Sequence, residues 1–227
     1  AADKNILKPG NGEPVVSAKL LDIVLGIYWM TRNLSGEKGE GRYYASPNSA
    51  ITAYDFDAVS YRAMIKVMGT DSAKYAQFEG KPFETTIGRL LFNSVFPSDF
   101  PYMNDEVAVK KMNSIIDQVI LTYGLEKAPS VIDKIKAFGY KYATISGTTW
   151  NIDAVKVPKE KPALIAEGWD NAARVEADYE EGLLSSEERY SKTIEVWQAI
   201  RSRIEKLVPE SFEKHGSVYD LITSGAR

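Results

Sequence analysis

The chain has no cysteine and a single histidine, His215, in 227 residues. The first absence excludes disulfides, thiolate metal sites and a cysteine nucleophile; the second excludes a histidine zinc cluster and leaves one candidate imidazole base. His215 stands beside Lys214 in a polar stretch with no serine nucleophile and acid arranged around it, and reads as a surface residue. Charge of one sign is also lacking. The 28 basic residues face 31 acidic ones, a net of −3, so no global field draws the chain to a phosphate backbone and any basic patch has to be local. No apolar run approaches the roughly 20 residues that span a bilayer. The start, AADKNILKPGNG, has neither a charged n-region nor an apolar h-region. The expected setting is therefore the cytoplasm, with no membrane partner. A chain that opens on Ala1 and stops on Arg227 reads as an excised piece of a longer protein.

What is present is a globular composition, 44% hydrophobic and 26% charged, enough for one substantial core or two small ones. From Ser17 to Arg32 the positions Leu21, Val24, Leu25, Tyr28 and Trp29 recur at spacings of three and four, which predicts one apolar face of a short helix. Gly36 to Ser49 is a glycine-rich turn, and the region to about Phe83 reads as short strands with a helical turn. Helices are expected at Thr85 to Val95 and at Asp105 to Tyr123, the latter capped by Gly124, and a third from Ser130 to Phe138 stopped by Gly139. Tyr140 to Val157, rich in Thr, Tyr, Ile and Val, suggests an extended excursion ending at Pro158.

The sharpest pattern is C-terminal. Ile165, Trp169, Ala172, Val175, Tyr179 and Leu183 keep helical spacing, and so do Tyr190, Ile194, Trp197, Ile200, Ile204 and Leu207. Between these stripes Gly182 suits a left-handed cap, and Ser185 with Glu188 three residues on suits a capping box. The result is an antiparallel helical hairpin whose tip meets solvent or a partner; a plain helix pair inside a bundle fits the same residues. The expected class is α+β, predominantly α: a small mixed N-terminal part, a helical middle and a projecting hairpin. The expected boundary divides residues 1–157 from 158–227.

Candidate chemistry is sparse. Asp55 and Asp57 in Tyr54-Asp55-Phe56-Asp57 have the spacing to chelate Mg²⁺ from a tight loop, but no third ligand follows, and solvated turn acids are the expectation. Gly36, Gly39 and Gly41 lack the Lys-Ser/Thr pair of a P-loop, and Glu37 and Glu40 repel anions.

Several segments in order resemble the β′ subunit of bacterial RNA polymerase. They are NILKPGNGEPVV (Asn5 to Val16), DIVLGIYWMT (Asp22 to Thr31), EKGEG (Glu37 to Gly41), TTIGRLLFN (Thr85 to Asn93), IDKIKAFGYKYATISG (Ile132 to Gly147), VPKEK (Val157 to Lys161), GLLSSEERYSKTIEVW (Gly182 to Trp197) and VYDLITSGAR (Val218 to Arg227). The departures are local: Ile145 and Ser191 stand where the family often has Arg and Asn. The family's aspartate triad NADFDGD lies upstream of the NGEP segment, so the resemblance makes the Asp55–Asp57 pair a decoy and puts the Mg²⁺ ligands outside this chain.

The resemblance implies a pore and funnel module, a wall of the secondary channel through which nucleoside triphosphates reach the active centre and a backtracked RNA 3′ end leaves. It implies a pore segment at Thr85, Thr86, Gly88, Arg89 and Asn93, and a loop leading to the bridge helix at Ser224, Gly225 and Arg227. It further implies a rim tip at Tyr179, Glu181, Gly182, Leu183, Leu184, Glu188, Arg189, Tyr190 and Lys192 that docks Gre-type and DksA-type factors. Other polymerase subunits and the remainder of β′ are the implied partners, with no catalytic residue, metal or cofactor in this stretch. The rival reading is a stand-alone helical-hairpin module that binds protein.

Overall fold

The computed structural model describes residues 21–226; the NILKPGNGEPVV segment, the helical start expected at Ser17 and Arg227 lie outside the described residues. Among the described residues 62% are helical and there is one three-stranded sheet, so the α+β, predominantly α class holds. It divides into two compact units: residues 21–148 with 220–226, and residues 149–219. The segment 149–157 therefore groups with the hairpin, and the last residues return to the first unit.

In the first unit, helix α1 (Leu21–Thr31) is buried on nearly every side, through Ile23, Val24, Leu25, Ile27, Tyr28 and Met30. The single face expected from spacing is thus a correction. A helix apolar all round belongs inside a core, and two of the residues assigned to the single face are the less buried ones: Leu21 is exposed and Trp29 only half-buried. Its main neighbour is α4 (Val109–Ser146), which breaks at Gly124 (φ 65°, ψ −179°) and resumes at once. The expected stop at Gly139 is wrong. A β-carbon on Gly26 would stand 2.0 Å from the Gly139 carbonyl oxygen, and one on Gly139 would stand 2.8 Å from the Ile23 α-carbon, so both glycines serve a close crossing of two helices. With Phe138 and Tyr142 both buried, the apolar stripe carries α4 on to Ser146, capped by Gly147 at φ 58°. The extended excursion expected from Tyr140 is accordingly helix up to that cap.

Strands β1 (Tyr43–Tyr44), β2 (Ile65–Met68) and β3 (Pro82–Thr85) lie in that order, the first pair parallel and the second antiparallel. Alternation works here as it should: Ile65 and Val67, then Phe83 and Thr85, point into a cluster with Val59 and Tyr102. Helix α2 (Pro47–Asp55) begins where the Ser46 hydroxyl accepts the Ser49 amide at 3.1 Å, with Pro47 at the position that needs no donor.

The second unit is the hairpin of α5 (Lys161–Glu180) and α6 (Ser186–Ser211). Its seam is Leu164, Gly168, Val175 and Ile200. The expected stripes are rotated from it: Trp169 and Tyr190 are 64% and 69% exposed, and Trp197 is half-buried. Periodicity marks a broad face, whereas two helices alone cover only a line along it. Gly168 decides which line, since a β-carbon there would stand 2.8 Å from the Trp197 ring. The segment expected as a loop near the C-terminus forms α7 (Ser217–Ser224).

Candidate functional site

The residues expected at the pore lie at the turn between β3 and α3 (Ile87–Asn93). Thr86 caps α3 by accepting the Arg89 amide at 3.2 Å. Thr85 pairs its hydroxyl with that of Tyr102 at 2.6 Å, and burial drives the Tyr102 phenol well above its ordinary value. Gly88 donates its amide to the Tyr61 carbonyl at 2.8 Å, and a β-carbon there would stand 1.8 Å from the Met30 carbonyl oxygen. The Arg89 guanidinium reaches the end of α1, donating to the Thr31 carbonyl at 2.7 Å, and burial lowers its pKa. Asn93 donates to the carbonyls of Arg89 and Met103, both at 2.8 Å, and accepts the Met103 amide at 2.8 Å. All five side chains or backbone positions are buried in this unit. They form a joint between α1, β3, α3 and the segment at Tyr102 and Met103.

Spacing missed two members of that joint. Lys74 donates to the carbonyls of Asn93 at 2.6 Å and Phe96 at 3.0 Å, and burial lowers its pKa. Thr31 accepts the Val107 amide at 2.9 Å. Neither carries a local signal, because each partner is distant in sequence.

At the hairpin tip, Gly182 sits at φ 74° and the Leu183 amide returns to the Asp178 carbonyl at 2.9 Å, closing α5. The capping box expected at Ser185 is present: the Glu188 amide donates to the Ser185 hydroxyl at 3.2 Å and the Ser185 amide to the Glu188 carboxylate at 2.8 Å. That amide holds the Glu188 carboxyl below its usual range. Arg189 pairs with Glu176 at 2.9 Å and stacks 4.3 Å over the Tyr179 ring. The structure therefore joins Tyr179 and Arg189 and adds Glu176, one helical turn before Tyr179 on α5, whose contact with Arg189 crosses from α5 to α6. Leu183 and Tyr190 are 68% and 69% exposed, Glu181 and Lys192 are exposed, and Leu184 is half-buried. What this tip offers is an apolar contact edged by both charges, the character of a small protein-docking surface.

The remaining candidates are placed plainly. Asp55 ends α2, while Asp57, at φ 54°, is open to solvent and pairs with Lys38 at 2.7 Å, so the two acids do not converge. Among the described residues, no group of three or more His, Cys, Asp or Glu gathers as a metal would need. Amides of the glycine turn are already engaged, Gly36 with the Glu40 carboxylate and Gly41 with the Met64 carbonyl, each at 2.7 Å. His215 is exposed. Ser224 is fully buried and Gly225, at φ 77°, lies against Val109.

Residues 5–155 match the family model for RNA polymerase Rpb1, domain 3. The chain belongs to this family. It is also similar, along nearly all of its length, to proteins named DNA-directed RNA polymerase subunit β′. That of Heliobacterium modesticaldum is 36% identical over 98% of this chain and 20% of the relative. That of Caldanaerobacter subterraneus subsp. tengcongensis is 34% identical over 100% of this chain and 20% of the relative. In Bacteroides thetaiotaomicron the figures are 33%, 98% and 16%. The chain thus spans about a fifth of the length of the curated relatives it matches. The family match ends at residue 155, just before the hairpin, and the similarity to the β′ subunits continues through it.

Proposed function

We propose that this chain is a stretch of the β′ subunit of an RNA polymerase and works in transcription as a wall of the secondary channel, with the hairpin tip as a dock for Gre-type or DksA-type factors. The observation that carries the reading is the continuous similarity to β′ across 98–100% of the chain, hairpin included. On this reading the first unit is the pore part, and Thr85, Thr86, Gly88, Arg89 and Asn93 act by holding the wall's shape from within. The second unit is the funnel and rim part, and α7 leads toward the bridge helix. Nucleoside triphosphates and the RNA 3′ end pass along the channel, and other polymerase subunits and the rest of β′ surround the chain in the cytoplasm. Nucleotidyl transfer, and the Mg²⁺ it needs, belong on this reading to the rest of the enzyme, and the chain alone is expected to make no template-dependent RNA with Mg²⁺ and nucleotides.

The docking claim is tested at the two most exposed apolar residues of the tip. Leu183→Asp with Tyr190→Ala removes the apolar contact, and neither side chain supports the hairpin seam. Affinity for a Gre-type factor should fall by at least about tenfold, roughly 1.4 kcal/mol, by titration calorimetry on the chain and on whole polymerase. Circular dichroism should show an unchanged helix content. Unaltered affinity in a folded variant would remove the tip from the docking site. By contrast Arg189→Glu would also disturb Glu176 and Tyr179, and mixes docking with folding.

A further inference from the structure

Arg32 and Asp220 lie 188 residues apart and form a hydrogen-bonded ion pair whose side chains are 4% and 5% exposed. Residues 149–219 form their own compact unit, and Asp220 is the residue at which the chain rejoins the first. Around the pair the charges balance. Arg62 pairs with Glu37 at 3.0 Å and stacks 4.8 Å over Trp29, and its own pKa is lowered by burial and by the nearby Arg32, while Glu37 and Asp220 oppose that. Two cations and two anions thus share one partly sealed place at the end of α1.

We propose that the Arg32–Asp220 pair is a latch that seats α7 on α1 and so fixes where the chain goes after the inserted unit. A buried ion pair adds little net stability, yet losing one partner strands a charge out of water and is strongly destabilising. The apolar seat of α7 is small. Ser224 and Ala226 are buried and Gly225 touches Val109, but Ile222 is 44% exposed and Thr223 faces solvent. Removing Asp220 leaves the Arg32 guanidinium, whose Nε has no hydrogen-bond partner already, facing an unpaired burial that undocking relieves. Asp220 is therefore a positioning residue, and the proposal stands on this geometry whether or not the transcription reading is right.

Hydrogen exchange read by peptide mass spectrometry on the full chain tests it. In Asp220→Ala, amides of residues 220–226 should exchange at least about tenfold faster, while those of Met112 to Ile120 in the buried part of α4 keep their protection. The double variant Arg32→Met with Asp220→Leu, which strands no charge, should restore protection to 220–226. Asp220→Asn, which keeps a hydrogen-bond acceptor, should fall between and carries the test if the alanine variant does not fold. Unchanged exchange at 220–226 in the single variants would overturn the latch, as would an equal acceleration across residues 21–148, which marks ordinary destabilisation. Failure of the double variant to recover protection would overturn it too.

Discussion

At Gly26 a methyl group has nowhere to go, because the Gly139 carbonyl oxygen would be 2.0 Å away and the Ala143 amide nitrogen 2.6 Å away, both backbone atoms that cannot swing aside. Gly26→Ala should therefore separate α1 from α4 and cost at least the upper end of the roughly 1–3 kcal/mol usual for overpacking. Urea melts would show it, and an unchanged midpoint would mean that the crossing is looser than described. Asn93 is a second such point. Its amide satisfies three backbone groups, so Asn93→Ala leaves buried carbonyls and an amide unpaired at a cost of about 1–3 kcal/mol or more. In the hairpin the ranking of apolar residues follows burial. Ile200→Ala should cost about 2–5 kcal/mol, whereas Trp169→Ala, at a site 64% exposed, should cost clearly less despite the larger side chain. Equal losses in denaturant melts would put Trp169 back on the seam.

The hairpin as an element carries a titratable start. Glu188 has its folded-state pKa held below the ordinary glutamate value, first by the Ser185 amide, and Glu167 is held low in the same direction by Arg203. A depressed carboxyl stabilises the fold above its unfolded pKa, and that contribution is lost as the pH falls through the folded value. The helicity of the 149–219 unit should accordingly weaken on the acid side of the ordinary glutamate range and hold steady between there and neutrality. Glu188→Gln should show a smaller acid-side decline than the parent by circular dichroism; an identical profile would mean that the capping box does not couple to helix stability. The same element explains why the tip can hold a shape at all. Gly182 ends one helix, Ser185 and Glu188 start the next, and Arg189 ties the two across the seam through Glu176 and Tyr179.

Across the whole molecule the apolar burial is uneven. Both large clusters, the one around α1 and α4 and the one between the sheet and α3, lie in the first unit. The second unit buries little more than Leu164, Val175, Ile200 and Phe212. Hydrophobic burial is the dominant favourable contribution to folding, so the hairpin unit should melt first and the 21–148 unit later. Scanning calorimetry with tryptophan fluorescence should resolve the order, since Trp169 and Trp197 report the hairpin and Trp29 the first unit. A single coincident transition would show that the two units unfold as one.

Local chemistry was legible in the sequence wherever its partners are close in the chain. The Ser185–Glu188 box, the left-handed Gly182 and the helical character of the hairpin all depend on neighbours within a few residues, and so did the family resemblance carried by contiguous motifs. Tertiary structure alone decided what depends on distant partners. Gly139 is a helix contact and not a stop because Gly26 lies opposite it; the hairpin seam runs through Gly168 and Ile200 because two helices bury a line and not a face; and Asp220 finds Arg32 only because the chain returns to its first unit. Backbone caps are paid in local geometry, whereas packing and buried charge are settled by whichever residues the fold brings within a few ångströms.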